Sequence, residues 1–279
     1  MQLGVIGMGR IGRSHAAVLD ANPAVDRVLV ASRSRASADK AAADLGLEAV
    51  DLESLVDSVD AVVIASSTDS HPELIERAIV AGKPTFCEKP IALDIEPTER
   101  IVALVDTEGG RLQIGFHRRF DPGYAAARQL VISGGLGTPY VVRTISHDPV
   151  PSPESFIPTS GGIFRDFLIH DFDIVDHVLG EPITAVFATA AVREHRVYAK
   201  YDDYDVAAVQ ARTASGALVT MSCTRHDPRG HDVRMELFGS RDSVVVGWDD
   251  RTPMRSLEPD GRRLPADPYE DFLDRFRAG

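Results

Sequence analysis

The sequence predicts an α/β protein: a doubly wound parallel sheet in its N-terminal part, then an α+β region built on a mostly antiparallel sheet. Three observations predict it. Short apolar runs alternate with helical segments through residues 1–120, the pattern of βαβ units. A glycine-rich GMGRIG at residues 7–12 joins the first apolar run to the first helical segment, as a tight βα turn requires. Beyond residue 120, longer alternating runs succeed one another with few helices between them, as antiparallel sheets do.

The elements follow in order. LGVIG (3–7) is a buried strand, and a helix over 11–22 is stopped by Pro23. RVLVAS (27–32) is the second strand, followed by an Ala-rich helix over 36–45. DAVVIAS (60–66) is a third apolar strand. HPELIERAIVAG has Pro in its first turn and Gly at its end, which mark the two ends of a helix. PTFCEKP carries a short strand, a helix spans 97–108, and RLQIGF (111–116) is another strand. A helix over 122–133 ends in SGGLG, and PYVVRTISH opens the second region. An apolar helix at 161–180 precedes ITAVFATAAVRE, DVAAVQARTASGALVTMSCTR, DVRMELFGS and DSVVVGW. ASG at 214–216 marks a hairpin turn. The last 30 residues read as loop until PYEDFLDRF (268–276).

Composition narrows the function. The 279 residues carry a formal net charge of −12. That disfavours a phosphate-tracking nucleic-acid binder and docking on anionic membranes. No apolar run approaches the roughly 18–20 residues of a membrane span. Residue 2 already begins a strand, which leaves no room for a signal peptide. Cys87 and Cys223 form no CxxC pattern, so neither a zinc site nor a disulfide framework is indicated. The expectation is a cytoplasmic protein.

Four motifs carry chemistry. In Gly7-Met8-Gly9-Arg10-Ile11-Gly12, the first Gly permits the turn, the second allows a pyrophosphate to approach, and the third lets helix pack on strand. The helix N-terminus offers N–H groups to phosphates. The second strand ends in Ser32-Arg33-Ser34, where a dinucleotide site usually has an acid for the ribose. Arg33 could hold a 2′-phosphate, which leans towards NADP; it could equally be solvated, or stack on the adenine of either cofactor. Lys89, in CEKP at a strand's C-terminal end, lies on the ligand edge of an open α/β sheet and can donate to a developing alkoxide; a solvated lysine is the plain alternative. The 161–180 helix places Asp166, His170, Asp173 and His177 on one stripe, with Asp171 on the apolar side. A wet face and a proton-transfer face are both open readings of the stripe. Asp171 would need partners.

Together GMGRIGRSHA, ASSTDSHPELI, FCEKPIALD, QIGFHRRFDPGY and SGGIFRDFLIHDFDIV resemble the Gfo/Idh/MocA oxidoreductase family. GFHRRFDPGY and the SHDP strand end look most like its inositol 2-dehydrogenases. The resemblance implies an N-terminal Rossmann domain over 1–120 that binds NAD or NADP. It also implies a domain over 121–279, with an open, mostly antiparallel sheet that binds substrate and pairs subunits into dimers or tetramers. It implies catalytic Lys89, Asp166 and His170. Cofactor contacts would come from Gly7, Met8, Gly9, Arg10, Ile11, Gly12, Ser32, Arg33, Ser66, Ser67, Thr68, His71 and Glu88. Substrate contacts would come from Arg119, His147, Asp148, Asp173 and His231. No metal is implied.

Two departures stand out. Many members have an acid where Ser32 stands, and members generally continue past the 268–276 region with further helices, which are not seen before Gly279. The expected activity is hydride transfer between nicotinamide and a secondary alcohol or ketone of a polyol or sugar, with inositol the first choice. An NADPH-dependent keto-sugar reductase and a non-catalytic dinucleotide-binding regulator are the alternatives.

Overall fold

The computed structural model describes residues 1–228 and 230–247. The chain divides into two compact units, Met1–Gly115 and Phe116–Gly279, a few residues before the boundary expected at 120.

The first unit holds six parallel strands: β1 (Gln2–Ile6), β2 (Arg27–Ala31), β3 (Glu48–Ala49), β4 (Ala61–Ile64), β5 (Thr85–Glu88) and β6 (Leu112–Gly115). Their order is β3-β2-β1-β4-β5-β6. The helices between them are α1 (Arg10–Asp20), α2 (Arg35–Leu45), α3 (Leu52–Leu55), α4 (His71–Val80) and α5 (Ile95–Glu108). Both faces of the sheet are buried. Val5, Val28, Val30 and Val63 join one apolar cluster with Ala16 and Ala41; Ile6, Leu29, Val62 and Ile64 join another with Ile75 and Ile101. Such strands read as unbroken apolar runs because alternate side chains serve opposite layers. The two-residue β3 and the four-residue α3 were not foreseen: each is too short to develop a period.

The second unit begins with α6 (Pro122–Ile132) and β7 (Pro139–His147), then α7 (Ile157–Ser160), a π-helical turn over Ile163–Leu168, and α8 (Ile169–Leu179). Strands β8 (Ile183–Ala191), β9 (Val206–Thr213), β10 (Leu218–Thr224), β11 (Asp232–Gly239) and β12 (Ser243–Val246) complete a sheet of order β12-β11-β7-β10-β9-β8. Every pair is antiparallel except β10 with β7. The sheet is one-sided. Along β9, Ala207, Val209 and Ala211 enter the core while Ala208, Gln210 and Arg212 are exposed. On β8, Phe187 is 67% exposed. The hairpin at 214–216 forms as expected, with Gly216 at φ +96° and its N–H donating to Thr213 O at 3.1 Å. The expected element at 268–276 and the Trp248 end of the last strand lie outside the described residues.

The helix expected over 161–180 is corrected. Gly161 and Gly162, both at positive φ, stop α7 and lead into the π-helical turn, and regular α-helix starts only at Ile169. The wider π turn, with i→i+5 bonding, breaks the 100° spacing between Asp166 and His170. The predicted stripe therefore holds for His170, Asp173 and His177, all on α8, while Asp166 sits on the wider turn. Among the described residues, no helix is long and apolar enough to cross a membrane.

Candidate active site

In the first unit the candidate residues gather at the C-terminal edge of the parallel sheet. Gly7 has φ +100° and donates its N–H to Ala31 O at 2.8 Å. A Cβ there would meet Ser66 N at 2.5 Å. A Cβ on Gly12 would lie 1.7 Å from Gly7 O, whereas one on Gly9 would meet nothing within 4 Å. Gly7 and Gly12 thus close the turn, and Gly9 leaves its outer side open. Gly9 is also the N-cap of α1 and supplies no capping side chain, so the first N–H groups of α1 remain available to an anion. The Met8 side chain is buried in the core, while Arg10 is exposed and Ile11 half-buried. This turn fits a dinucleotide pyrophosphate. Gly12→Ala is expected to weaken dinucleotide binding by about tenfold or more, roughly 1.4 kcal/mol; isothermal titration of the variant checks it, and wild-type affinity would refute it.

At the end of β2, Ser32 is half-buried. Ser34 is committed as the N-cap of α2, its hydroxyl accepting from Ser37 N at 3.3 Å. The Arg33 guanidinium, 71% exposed, donates to Asp69 Oδ2 at 3.0 Å and reaches Ser67 Oγ at 3.5 Å. The Ser67 hydroxyl holds the Asp69 carboxyl below its ordinary pKa; burial opposes this more weakly, and Arg33 adds to the lowering. Thr68 starts the short turn that leads into α4, and Ser66 Oγ lies 2.7 Å from Ser70 Oγ.

His71 is buried. Its Nδ1 lies 2.8 Å from Pro90 O and its Nε2 3.1 Å from Ser66 O. It is therefore placed to tie the β4 turn to the segment carrying Lys89, as a support behind the edge. Lys89 follows β5 directly and is half-buried. Beside it, Glu88 Oε1 lies 2.8 Å from His15 Nε2 on α1, and the His15 ring packs edge-on against Phe86. Burial, with the Glu88 charge adding to it, pushes the Cys87 thiol well above its ordinary pKa, so Cys87 is a core residue.

In the second unit, Asp166 lies on the π turn and His170 one step into α8. His170 packs edge-on against His117, ring centroids 4.8 Å apart, and against Phe116 at 6.4 Å. Arg119 forks onto Asp173: Nε donates to Oδ1 at 3.1 Å and to Oδ2 at 2.9 Å, and a terminal nitrogen also reaches Oδ1. Asp121 caps α6 by accepting from Gly123 N at 2.8 Å. His147, Asp148 and His231 come together. His147 Nε2 lies 2.9 Å from Ser222 Oγ and Nδ1 3.3 Å from Asp227 Oδ2, and His231 Nε2 lies 3.9 Å from Asp148 Oδ1. His147, Asp227 and Asp232 bring possible metal-ligand atoms within 4.8 Å of one another. The Asp232 carboxylate, however, accepts from Arg234 through both oxygens, at 2.7 and 3.0 Å. His177 is shifted below its ordinary pKa by burial first, then by Arg128 and Arg119.

Sequence reading missed the cations that hold these carboxylates. Asp171 is wholly buried and accepts from Ser146 Oγ at 2.9 and 2.8 Å and from Arg118 at 3.1 Å. Arg118, also buried, donates to Ser146 Oγ at 2.9 Å. Burial is the largest influence on Arg118 and would lower its pKa, but the charge and hydrogen bond of Asp171, with smaller help from Tyr124 and Cys223, together hold it above its ordinary value. The available signal was Asp171 itself, a carboxylate on an apolar side that had to find a cation. Arg225 donates to Asp166 Oδ2 at 2.8 Å. Burial is the largest influence and opposes its charge, but Asp166 first, then Asp148 and Asp203, together hold its pKa above the ordinary value. Nothing local in SCTRHDP pointed to Arg225.

Comparison with known proteins completes the description. Residues 1–116 match the oxidoreductase family with an NAD-binding Rossmann fold, and residues 124–245 match the GFO/IDH/MocA C-terminal domain. The chain is 38% identical over 275 residues to an inositol 2-dehydrogenase of Rhizobium meliloti (strain 1021), covering 98% of this chain and 83% of that one. The crystal structure of a probable dehydrogenase from Thermotoga maritima superposes with a TM-score of 0.90 at 32% identity, over 99% of this chain and 85% of that one. A scyllo-inositol dehydrogenase from Lactobacillus casei, solved with bound NAD(H) and scyllo-inositol, gives a TM-score of 0.84 at 28% identity, over 100% and 87%.

Proposed function

Because this chain belongs to the GFO/IDH/MocA family of oxidoreductases, we propose that it is an NAD-dependent dehydrogenase that oxidises a secondary hydroxyl of an inositol. One observation carries the reading: the glycine turn and Lys89 stand at the C-terminal edge of the same parallel sheet. That edge offers a pyrophosphate seat and a cationic donor together. The relatives that act on inositols supply the substrate class.

The bound nicotinamide would supply the hydride acceptor. Gly7, Met8, Gly9, Arg10, Ile11 and Gly12 would hold the pyrophosphate through backbone N–H groups, with Ser66, Ser67, Thr68 and Glu88 along the same edge. His170 takes the proton of the reacting hydroxyl as general base. Lys89 donates to the same oxygen as negative charge develops on it. Asp166 orients these groups. Arg119 with Asp173, and His147 with Asp148 and His231, offer donors and acceptors to the remaining hydroxyls of a polyol. Self-association into a homo-oligomer through the exposed face of the second sheet, around Phe187, belongs to the same proposal.

For the cofactor we favour NAD, which reverses the lean drawn from Ser32-Arg33. Arg33 is already paired with Asp69, whose carboxylate would repel a 2′-phosphate. NAD is expected to bind about tenfold or more tightly than NADP. Asp69→Asn is expected to narrow the gap several-fold by releasing Arg33, and isothermal titration reads both affinities. Tighter binding of NADP by the wild type would overturn this choice and favour the keto-sugar reductase.

A spectrophotometric panel of inositols and sugars with NAD and NADP tests the whole reading. The expected result is reduced nicotinamide formed from at least one inositol. Tight cofactor binding with no hydride transfer across the panel would favour a non-catalytic regulator.

A further inference from the structure

We propose that Arg225 is a positioning residue for Asp166, acting through a bridge of carboxylate, guanidinium and carboxylate that joins Asp203 to Asp166 and sets the π turn on which Asp166 stands. The proposal rests on the reading of Asp166 as a site carboxylate.

The bridge is built from three elements. Arg225 follows β10, and its own N–H donates to Asp205 O at 2.8 Å. Its side chain is only 3% exposed. One terminal nitrogen donates to Asp166 Oδ2 at 2.8 Å, and the other lies 3.9 Å from Asp203 Oδ2. The guanidinium packs over the Phe167 ring at 5.5 Å and the Tyr198 ring at 6.0 Å. Its Nε has no hydrogen-bond partner, so the ion pairs and the two rings hold it.

Asp203 fixes the other end. Its Oδ1 accepts from Ile163 N at 2.8 Å and from Tyr204 N at 2.8 Å. Ile163 is the first residue of the π turn, and Asp166 is three residues further along it. Gly162, just before the turn, would place a Cβ 3.0 Å from Asp203 Oδ1. The contacts therefore close a ring: Ile163 N–H to Asp203, Asp203 to Arg225, Arg225 to Asp166, and back through the turn.

A π turn is rare, and such turns concentrate at functional sites. Here a permanently charged group spans two carboxylates attached to its start and its middle. Losing that cation would leave two buried or half-buried acids without their common partner and let the turn relax towards regular helix, moving Asp166. A displacement of about 1 Å in such a group can cost on the order of 10²-fold in rate.

The test compares Arg225→Lys, Arg225→Met, Asp203→Asn, Asp166→Asn and the Arg225→Met/Asp166→Asn double variant, with kcat and KM for an inositol and the dissociation constant for NAD measured for each. Arg225→Met is expected to lower kcat about 10²-fold with NAD affinity within about twofold of wild type. Arg225→Lys, which keeps the charge, should recover part of the loss, and the double variant should be no slower than Asp166→Asn alone. Wild-type kcat in Arg225→Met, or losses that multiply in the double variant, would overturn the bridge. If Arg225→Met does not fold, Asp203→Asn decides: a fall in kcat supports the bridge, and wild-type kcat overturns it. Full activity in Asp166→Asn would instead overturn the reading of Asp166, a distinguishable result.

Discussion

Replacing Asp171 with Ala is expected to destabilise the second unit by about 3–5 kcal/mol, the usual result of removing one partner from a buried ion pair. Asp171 is wholly buried, and Arg118 is 4% exposed. Without the carboxylate, the Arg118 guanidinium keeps its charge in an apolar setting, and Ser146 loses both acceptors of its hydroxyl. The Coulomb attraction of the pair is not the main quantity lost; the unmet desolvation of Arg118 is. Asp171→Asn should cost less, because the amide oxygen still accepts from Ser146. Removing both charges, as in Arg118→Met/Asp171→Leu, should cost less than Asp171→Ala alone. Calorimetric unfolding of the four proteins checks the order. A loss below about 1 kcal/mol in Asp171→Ala would show that Arg118 finds another partner or water.

Lys89→Ala is expected to lower turnover about 10²–10⁴-fold while leaving NAD affinity within about threefold of wild type. The glycine turn that would hold the pyrophosphate lies on other elements, β1 and α1, and does not depend on the Lys89 ammonium. In the proposed mechanism the lysine acts on the oxygen whose charge develops during hydride loss, so its removal is expected to fall on kcat more than on binding. Steady-state rates from nicotinamide absorbance, with titration of NAD, separate the two effects. Wild-type turnover would remove Lys89 from the mechanism. Loss of NAD binding in parallel with turnover would make it a cofactor contact instead.

Much of the fold was legible in residue order. The apolar runs of the first unit had to be strands covered on both faces, and the alternation along β9 had to give one wet and one dry face. The glycine turn could be read one residue at a time: Gly12 is required because a Cβ would meet Gly7 O at 1.7 Å. The helix at 161–180 was only partly legible. The positive-φ glycines at 161 and 162 were visible as GG, but their effect, a π turn before regular helix, was not. Its geometry depends on Asp203, 40 residues beyond Ile163 in the chain.

By itself the sequence determined the strand and helix periods, the tight glycine turn after β1 and the family to which the chain belongs. These rest on neighbours within one or two turns of chain, where side-chain spacing and glycine freedom act directly. Only the tertiary structure decided who neutralises whom: Arg225 with Asp166, Arg118 with Asp171, Arg119 with Asp173 and Arg33 with Asp69. The physical reason is separation. These partners lie 36 to 59 residues apart, so sheet register and chain path bring them together, and no local pattern records them. For a buried charge the sequence can require a partner, but only packing selects which one.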